Sequence, residues 1–272
     1  MLRISGTGAT HAGLVREHNE DAGFVGPSCM LVADGVGGGA AGEVAAATTA
    51  YVVSATALAR RDDDPAAVLT DAVALAQQQV AAGVRSRPER EGMATTLTAL
   101  VTDGTRWALA HLGDSRGYVF RDGQLVRVTR DHTYVQDLVD AGRLAEDDVR
   151  RHPWRNVVLR SVNGTDSPPD VVPLDLQVGD RVLLASDGLT DLVSEARIAD
   201  VLARKSDDEA VQALIAAALG AGGNDNVTCL LATVVEGPRL VGDGRMLGAG
   251  ADLDNVVDPA AVRMPGTTGQ TA

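Results

Sequence analysis

Four aspartates in this chain stand where apolar runs stop or start. Leu31-Val32-Ala33 ends at Asp34, Leu109-Ala110-His111-Leu112 at Gly113-Asp114, and Val182-Leu183-Leu184-Ala185 at Ser186-Asp187; Asp225 stands just before a run that opens at Val227. A short apolar run bounded by turn residues is the pattern of a buried strand, so each carboxylate is delivered to a strand end. The glycines that follow Asp34 let backbone approach a ligand closely. Strands that bring four carboxylates together from distant places would build an acidic pocket, whose like charges repel and are costly to desolvate. A divalent cation resolves this, and an oxygen-only donor set selects Mg²⁺ or Mn²⁺ over zinc. One Asp-Gly alone would be a hairpin turn; the recurrence points to a site.

A second polar cluster, Val15-Arg16-Glu17-His18-Asn19-Glu20-Asp21, reads either as a solvated loop or as an Arg that forks onto a phosphate beside acidic residues that hold metal-bound water. The five histidines show no metal-ligand spacing. Cys29 and Cys229 stand alone in apolar runs and read as small buried hydrophobes, which fits a reducing compartment.

The elements that must position these groups follow from pattern. The Ala-rich stretch from Gly42 to Ala59 favours helix, and Asp62-Asp63-Asp64-Pro65 caps a second one from about Ala66 to Val84. Gly92 to Val101 reads as one strand, Asp103-Gly104 and Asp122-Gly123 as hairpin turns, and the strands around them as an antiparallel meander. An insertion from Asp131 to Gly164 breaks the β rhythm, with a helix after Thr133 ended by Gly142, and could be a flap over a site. Strands return at Val171 to Leu176 and Arg181 to Ala185; Ser194 and Asp207 open two helices, and Val227 to Val235 is a last strand.

With 272 residues, 45% of them apolar, the chain can hold one large core, packed by Ala, Val and Leu because aromatics are only 3%. A net charge of −13 excludes non-specific binding to nucleic acid or anionic membrane. There is no signal-peptide pattern and no run of membrane-spanning length, which points to a cytoplasmic protein. Residues 1–236 read as a single folded domain and 237–272 as a Gly- and Pro-containing flexible tail.

Six blocks carry a resemblance: residues 15–21, Ala33-Asp34-Gly35-Val36-Gly37-Gly38, Gly92-Met93-Ala94-Thr95-Thr96, Gly113-Asp114-Ser115-Arg116-Gly117, Ser186-Asp187-Gly188 and Gly223-Asn224-Asp225-Asn226-Val227-Thr228. Taken in this order, over about residues 5–236, they resemble the bacterial form of the type 2C metal-dependent protein phosphatases. The resemblance implies an α+β fold of two packed antiparallel sheets flanked by helices, with the metal site at one end. It implies core metal ligands at Asp34, the Gly35 carbonyl, Asp187 and Asp225, and an additional-metal ligand at Asp114. Glu20 and Asp21 match positions that hold metal-bound waters, and Arg16 matches the phosphate-binding Arg. The implied activity is hydrolysis of phosphoserine and phosphothreonine in proteins, with a Ser/Thr kinase expected among them, using two core Mn²⁺ or Mg²⁺ ions with room for a third. A catalytically idle module that senses metal or phosphoprotein on the same fold is the alternative, which loss of a core ligand would favour; every matched ligand is present. One departure concerns Val36, where many eukaryotic members carry a His that protonates the leaving group; Val36 leaves that acid unassigned.

Overall fold

Alternating packing partners along the strands sort the chain into layers. In chain order the elements are β1 (Leu2–His11), β2 (Ala22–Val25), β3 (Cys29–Ala33), β4 (Gly35–Val36), α1 (Gly42–Ala59), α2 (Pro65–Ser86), β5 (Ala94–Thr95), β6 (Leu97–Thr102), β7 (Trp107–Leu112), β8 (Arg116–Arg121) and β9 (Gln124–Arg127). There follow α3 (Tyr134–Asp140), β10 (Asp170–Leu174), β11 (Arg181–Ala185), α4 (Asp187–Thr190), α5 (Glu195–Arg204), α6 (Asp207–Gly220), β12 (Val227–Glu236) and β13 (Arg245–Gly248). The structure is a computed structural model and describes residues 1–36, 41–238, 240, 242 and 244–262. Gly37 and Gly38 of the motif that follows Asp34 lie outside the described residues.

One sheet has the order β1-β12-β11-β8-β9, the other β10-β7-β6-β3-β2-β13, and β4 pairs with β5 beside them; all neighbours are antiparallel. On β3, Cys29, Leu31 and Ala33 face α1 and α2, while Met30 and Val32 face the opposite sheet. On β11, Leu183 and Ala185 face the helical layer of α5 and α6, and Val182 and Leu184 face inward. The result is helix, sheet, sheet, helix, with three apolar interfaces; strands buried on both faces read as continuous apolar runs for this reason. Local chemistry fixes the helix starts. Asp64 accepts from the Ala66 amide with Pro65 at the first position, and Ser206 with Glu209 forms a capping box at α6. Among the described residues, no helix is long and apolar enough to cross a membrane.

Three expectations change. The strands from β6 to β9 are not one meander: β6 and β7 belong to the six-stranded sheet, β8 and β9 to the five-stranded one. The chain changes sheets across Gly113-Asp114-Ser115, because Gly113 turns it with φ +106. The sequence from Gly92 likewise yields two short strands, β5 and β6, in different sheets. The stretch after Glu236 also departs from an unpacked tail. β13 pairs with β2 at the sheet edge, Leu247 is buried between the sheets, and Val256 is buried with Ala47 of α1. Four residues are too few to show a period, so this strand left no signal. Residues 263–272 of the tail lie outside the described residues.

Candidate metal centre

Sheet geometry gathers the aspartates. Asp34 follows β3, Asp114 lies in the loop that crosses between sheets, Asp187 opens α4 immediately after β11, and Asp225 precedes β12. All four line one cleft of about 370 Å³ at one end of the sandwich, together with Gly35, Glu20, Arg16, His18, Val36, Asn226 and, from the insertion, Asn156 and Val158.

The carboxylates there are poorly compensated. Asp34 and Asp187 are held well above the usual carboxylate range, first because burial penalises the charge and then because the aspartates repel one another. Asp114 is pushed up to about 7 by burial, with Asp131 and Asp191 adding repulsion. Asp34, Asp114 and Asp187 keep some accessible surface, and all three line the cleft. Each favours a positive charge in its place. Among the described residues, no three His, Cys, Asp or Glu side chains close into a finished ligand cage. An open wall of oxygens instead suits ions that keep several waters and take few carboxylates each. The donor set therefore fits Mg²⁺ or Mn²⁺.

The remaining expected residues divide. Glu20 reaches the cleft: its carboxylate lies against Gly42 at the start of α1, where a side chain would displace it, and its backbone amide donates to Asn226 Oδ1 at 2.7 Å. Burial, then Glu43, raises its pKa. Asp21 does not line the cleft. It is fully buried behind it, where Oδ2 accepts from Ser186 Oγ at 2.8 Å and from Thr228 Oγ1 at 2.7 Å, while Oδ1 has no partner. Burial raises its pKa to about 6. Arg16, at the rim and half exposed, donates from Nη2 to Asp225 Oδ2 at 2.8 Å.

Several contributors were not singled out from the sequence. Asn226 donates from Nδ2 to the Ala12 and His18 carbonyls, 2.9 and 2.8 Å away, and so pins the segment that carries Arg16 and Glu20. Asp191 lies one helical turn beyond Asp187 and shares a small adjoining cavity with Asp114 and Asp187; an i, i+4 repeat of Asp after a strand was the sign. Ser186 stands at the N-terminus of α4 and its hydroxyl supports Asp21. The Asp114 loop is held from behind. His132 donates its backbone amide to the Gly113 carbonyl at 2.7 Å and accepts the Gly113 amide on Nδ1 at 3.1 Å. Asp131 grips Arg116, with Nη2 to Oδ2 at 2.7 Å.

A sequence profile described as Protein phosphatase 2C matches residues 6–221. The serine/threonine protein phosphatase PstP of Mycobacterium tuberculosis is 43% identical over 224 residues, which cover 82% of this chain and 44% of that protein. The chain thus spans under half the length of these mycobacterial relatives. The serine/threonine phosphatase stp of Listeria monocytogenes is 32% identical over 234 residues, 82% of this chain and 92% of that protein. Among solved structures, M. tuberculosis PstP/Ppp superposes with a TM-score of 0.78 at 41% identity, covering 85% of this chain and 98% of the other. The catalytic domain of PstP in complex with two manganese ions gives a TM-score of 0.78 at 40% identity, covering 87% and 100%.

Proposed function

The chain belongs to the protein phosphatase 2C family, and from that premise we propose that it hydrolyses phosphoserine and phosphothreonine in proteins with two divalent cations, Mn²⁺ or Mg²⁺, in the acidic cleft. The observation that carries this is the convergence of Asp34, Asp114, Asp187 and Asp225 on one cleft with Arg16 at its rim. Asp34, Asp187, Asp225 and the Gly35 carbonyl would hold the two core ions, and Asp114, with Asp191 beside it, a third. When bound, such ions supply positive charge for a phosphate dianion and an activated water for in-line attack.

The chain's own residues do the rest. Arg16 exchanges its bond to Asp225 for two parallel bonds to non-bridging phosphate oxygens, since a guanidinium fork matches either acceptor. That contact neutralises charge on the equatorial oxygens, where phosphoryl transfer needs it most. Glu20, braced by α1 and by Asn226, orients water at the cleft wall, and Asp21 acts from behind by fixing β2 and the Ser186–Thr228 contacts. Val36 faces the cleft where an acid would serve the leaving alkoxide, and it carries no proton. Partner proteins are phosphoproteins, and the reading extends to a Ser/Thr kinase among them. Every expected ligand is in the cleft, which leaves the idle-module alternative without support. A phosphoserine peptide incubated with the protein should release phosphate with Mn²⁺ and not with EDTA. Full turnover in chelator, with metal absent by elemental analysis, would overturn the two-ion reading.

A further inference from the structure

The family profile ends at residue 221, yet the chain returns to the site after it. Arg245–Gly248 pairs with β2 so that Leu247 stands opposite Gly23 and Gly248 opposite Ala22, the first residue after Asp21. Leu247 shares with Leu230 the space that two glycines leave between the sheets: a side chain at Gly8 or Gly23 would meet Leu230 Cδ2 first, with Leu247 Cδ1 3.4 and 3.6 Å away. Arg245 Nη2 donates to the Gly8 carbonyl at 2.9 Å.

The next two residues touch the site's support directly. Gly248 has φ +60 and packs on the Asp21 carbonyl so closely that any side chain would collide with it. The Ala249 amide donates to that same carbonyl at 2.8 Å. The strap then crosses α1. The Val257 amide donates to Thr48 Oγ1 at 3.0 Å, Tyr51 donates to the Pro259 carbonyl at 2.8 Å, and Ala249 and Val256 are buried with Ala47. Since Glu20 rests on the first residue of α1, the strap holds both supports of the Glu20-Asp21 segment.

We propose that residues 245–257 are a C-terminal strap of the catalytic domain, and that Gly248 and Ala249 are positioning residues which fix Glu20 and Asp21 and thereby set the affinity of the cleft for its ions. The strap acts through backbone: an edge strand supplies main-chain pairing whatever its side chains, and the Asp21 carbonyl, buried, needs a donor. The metal arm of this inference rests on the two-ion reading; the backbone arm does not.

Three full-length variants test it. Gly248→Ala places a methyl group against the Asp21 carbonyl. Ala249→Pro deletes the donated amide at the first residue of a 3₁₀ turn, where proline is tolerated. Leu247→Ala is the packing control: it removes inter-sheet contacts but leaves the bonds to Asp21. Hydrogen exchange over residues 19–25, measured in EDTA, should accelerate at least roughly fivefold in Gly248→Ala and Ala249→Pro relative to the mean change elsewhere. Calorimetric Mn²⁺ affinity, with no substrate present, should fall roughly fivefold or more in the same two variants. Leu247→Ala should lower the melting temperature with little change in Mn²⁺ affinity. If Gly248→Ala does not fold, Ala249→Pro carries the test. Unchanged exchange at residues 19–25, or Mn²⁺ affinity that follows melting temperature equally in all three variants, would overturn the proposal. Absence of Mn²⁺ binding by the unaltered chain would instead strike the two-ion reading and leave the exchange arm to decide.

Discussion

Acid should destabilise this fold through one buried histidine. His111, on β7, is 2% exposed; its Nε2 lies 3.0 Å from the Arg130 carbonyl and its Nδ1 3.0 Å from Thr98 Oγ1. The ring stacks on His132 with centroids 4.9 Å apart. Burial, and then the charge on His132, lower its pKa from 6.5 to about 4. A base lowered in this way takes up a proton more readily in the unfolded chain. Its contribution to stability is therefore whole above pH 6.5 and is lost as pH falls from there to about 4. The difference corresponds to ~3 kcal/mol, a large part of a typical domain's stability. Urea unfolding in EDTA, at several pH values between 7.5 and 4, should be compared for the unaltered chain and His111→Gln, whose amide can still donate to the Arg130 carbonyl. The stability difference between them should shrink by ~3 kcal/mol across that range. The comparison cancels the carboxylates, which run the other way: Asp21, raised from 3.8 to about 6, costs stability progressively as pH rises from the lower value to the higher. Parallel pH profiles for the two proteins would refute the burial argument.

Arg16→Ala removes a charge-assisted contact worth ~1.5–3 kcal/mol, so kcat/KM for a phosphopeptide should fall about 10- to 100-fold by steady-state kinetics. Mn²⁺ affinity should not fall, because the guanidinium is bonded to Asp225, a proposed ligand that its removal would free. Gly188→Ala should abolish turnover and lower the melting temperature, since a methyl group there meets the Asn226 carbonyl. Truncation after Gly244 exposes the sites of Leu247 and Val256, both buried. At ~4 kcal/mol for two lost apolar anchors, it should lower the melting temperature by about 10 °C.

The site was legible in the sequence where apolar runs end in Asp. Asp34, Asp114, Asp187 and Asp225 line one cleft because β3 and β7 flank β6 and run the same way, while the end of β11 lies beside the start of its antiparallel neighbour β12. The helix from Gly42 to Ala59 was legible from composition. Three features were not. Asp21 and Glu20 are adjacent in a polar cluster, and nothing local says that one is buried at 0% exposure while its neighbour reaches the cleft; pairing at the start of β2 decides it. The crossing at Gly113 was hidden inside the expected meander, because a chain that changes sheets uses the same turn residues as one that folds back. The strap at Arg245–Gly248 is a short edge strand that pairs with β2 and packs Leu247 toward Gly8 and Gly23, residues that signal space and not what fills it.

Manganese placement tests the central claim most directly. Crystals grown with Mn²⁺, with anomalous scattering recorded at the manganese edge, should show two peaks roughly 3.5–4 Å apart against Asp34, Gly35, Asp187 and Asp225, and Asp187→Asn should lose at least one of them. A cleft without anomalous density at saturating Mn²⁺, or ions held elsewhere on the chain, would contradict the account.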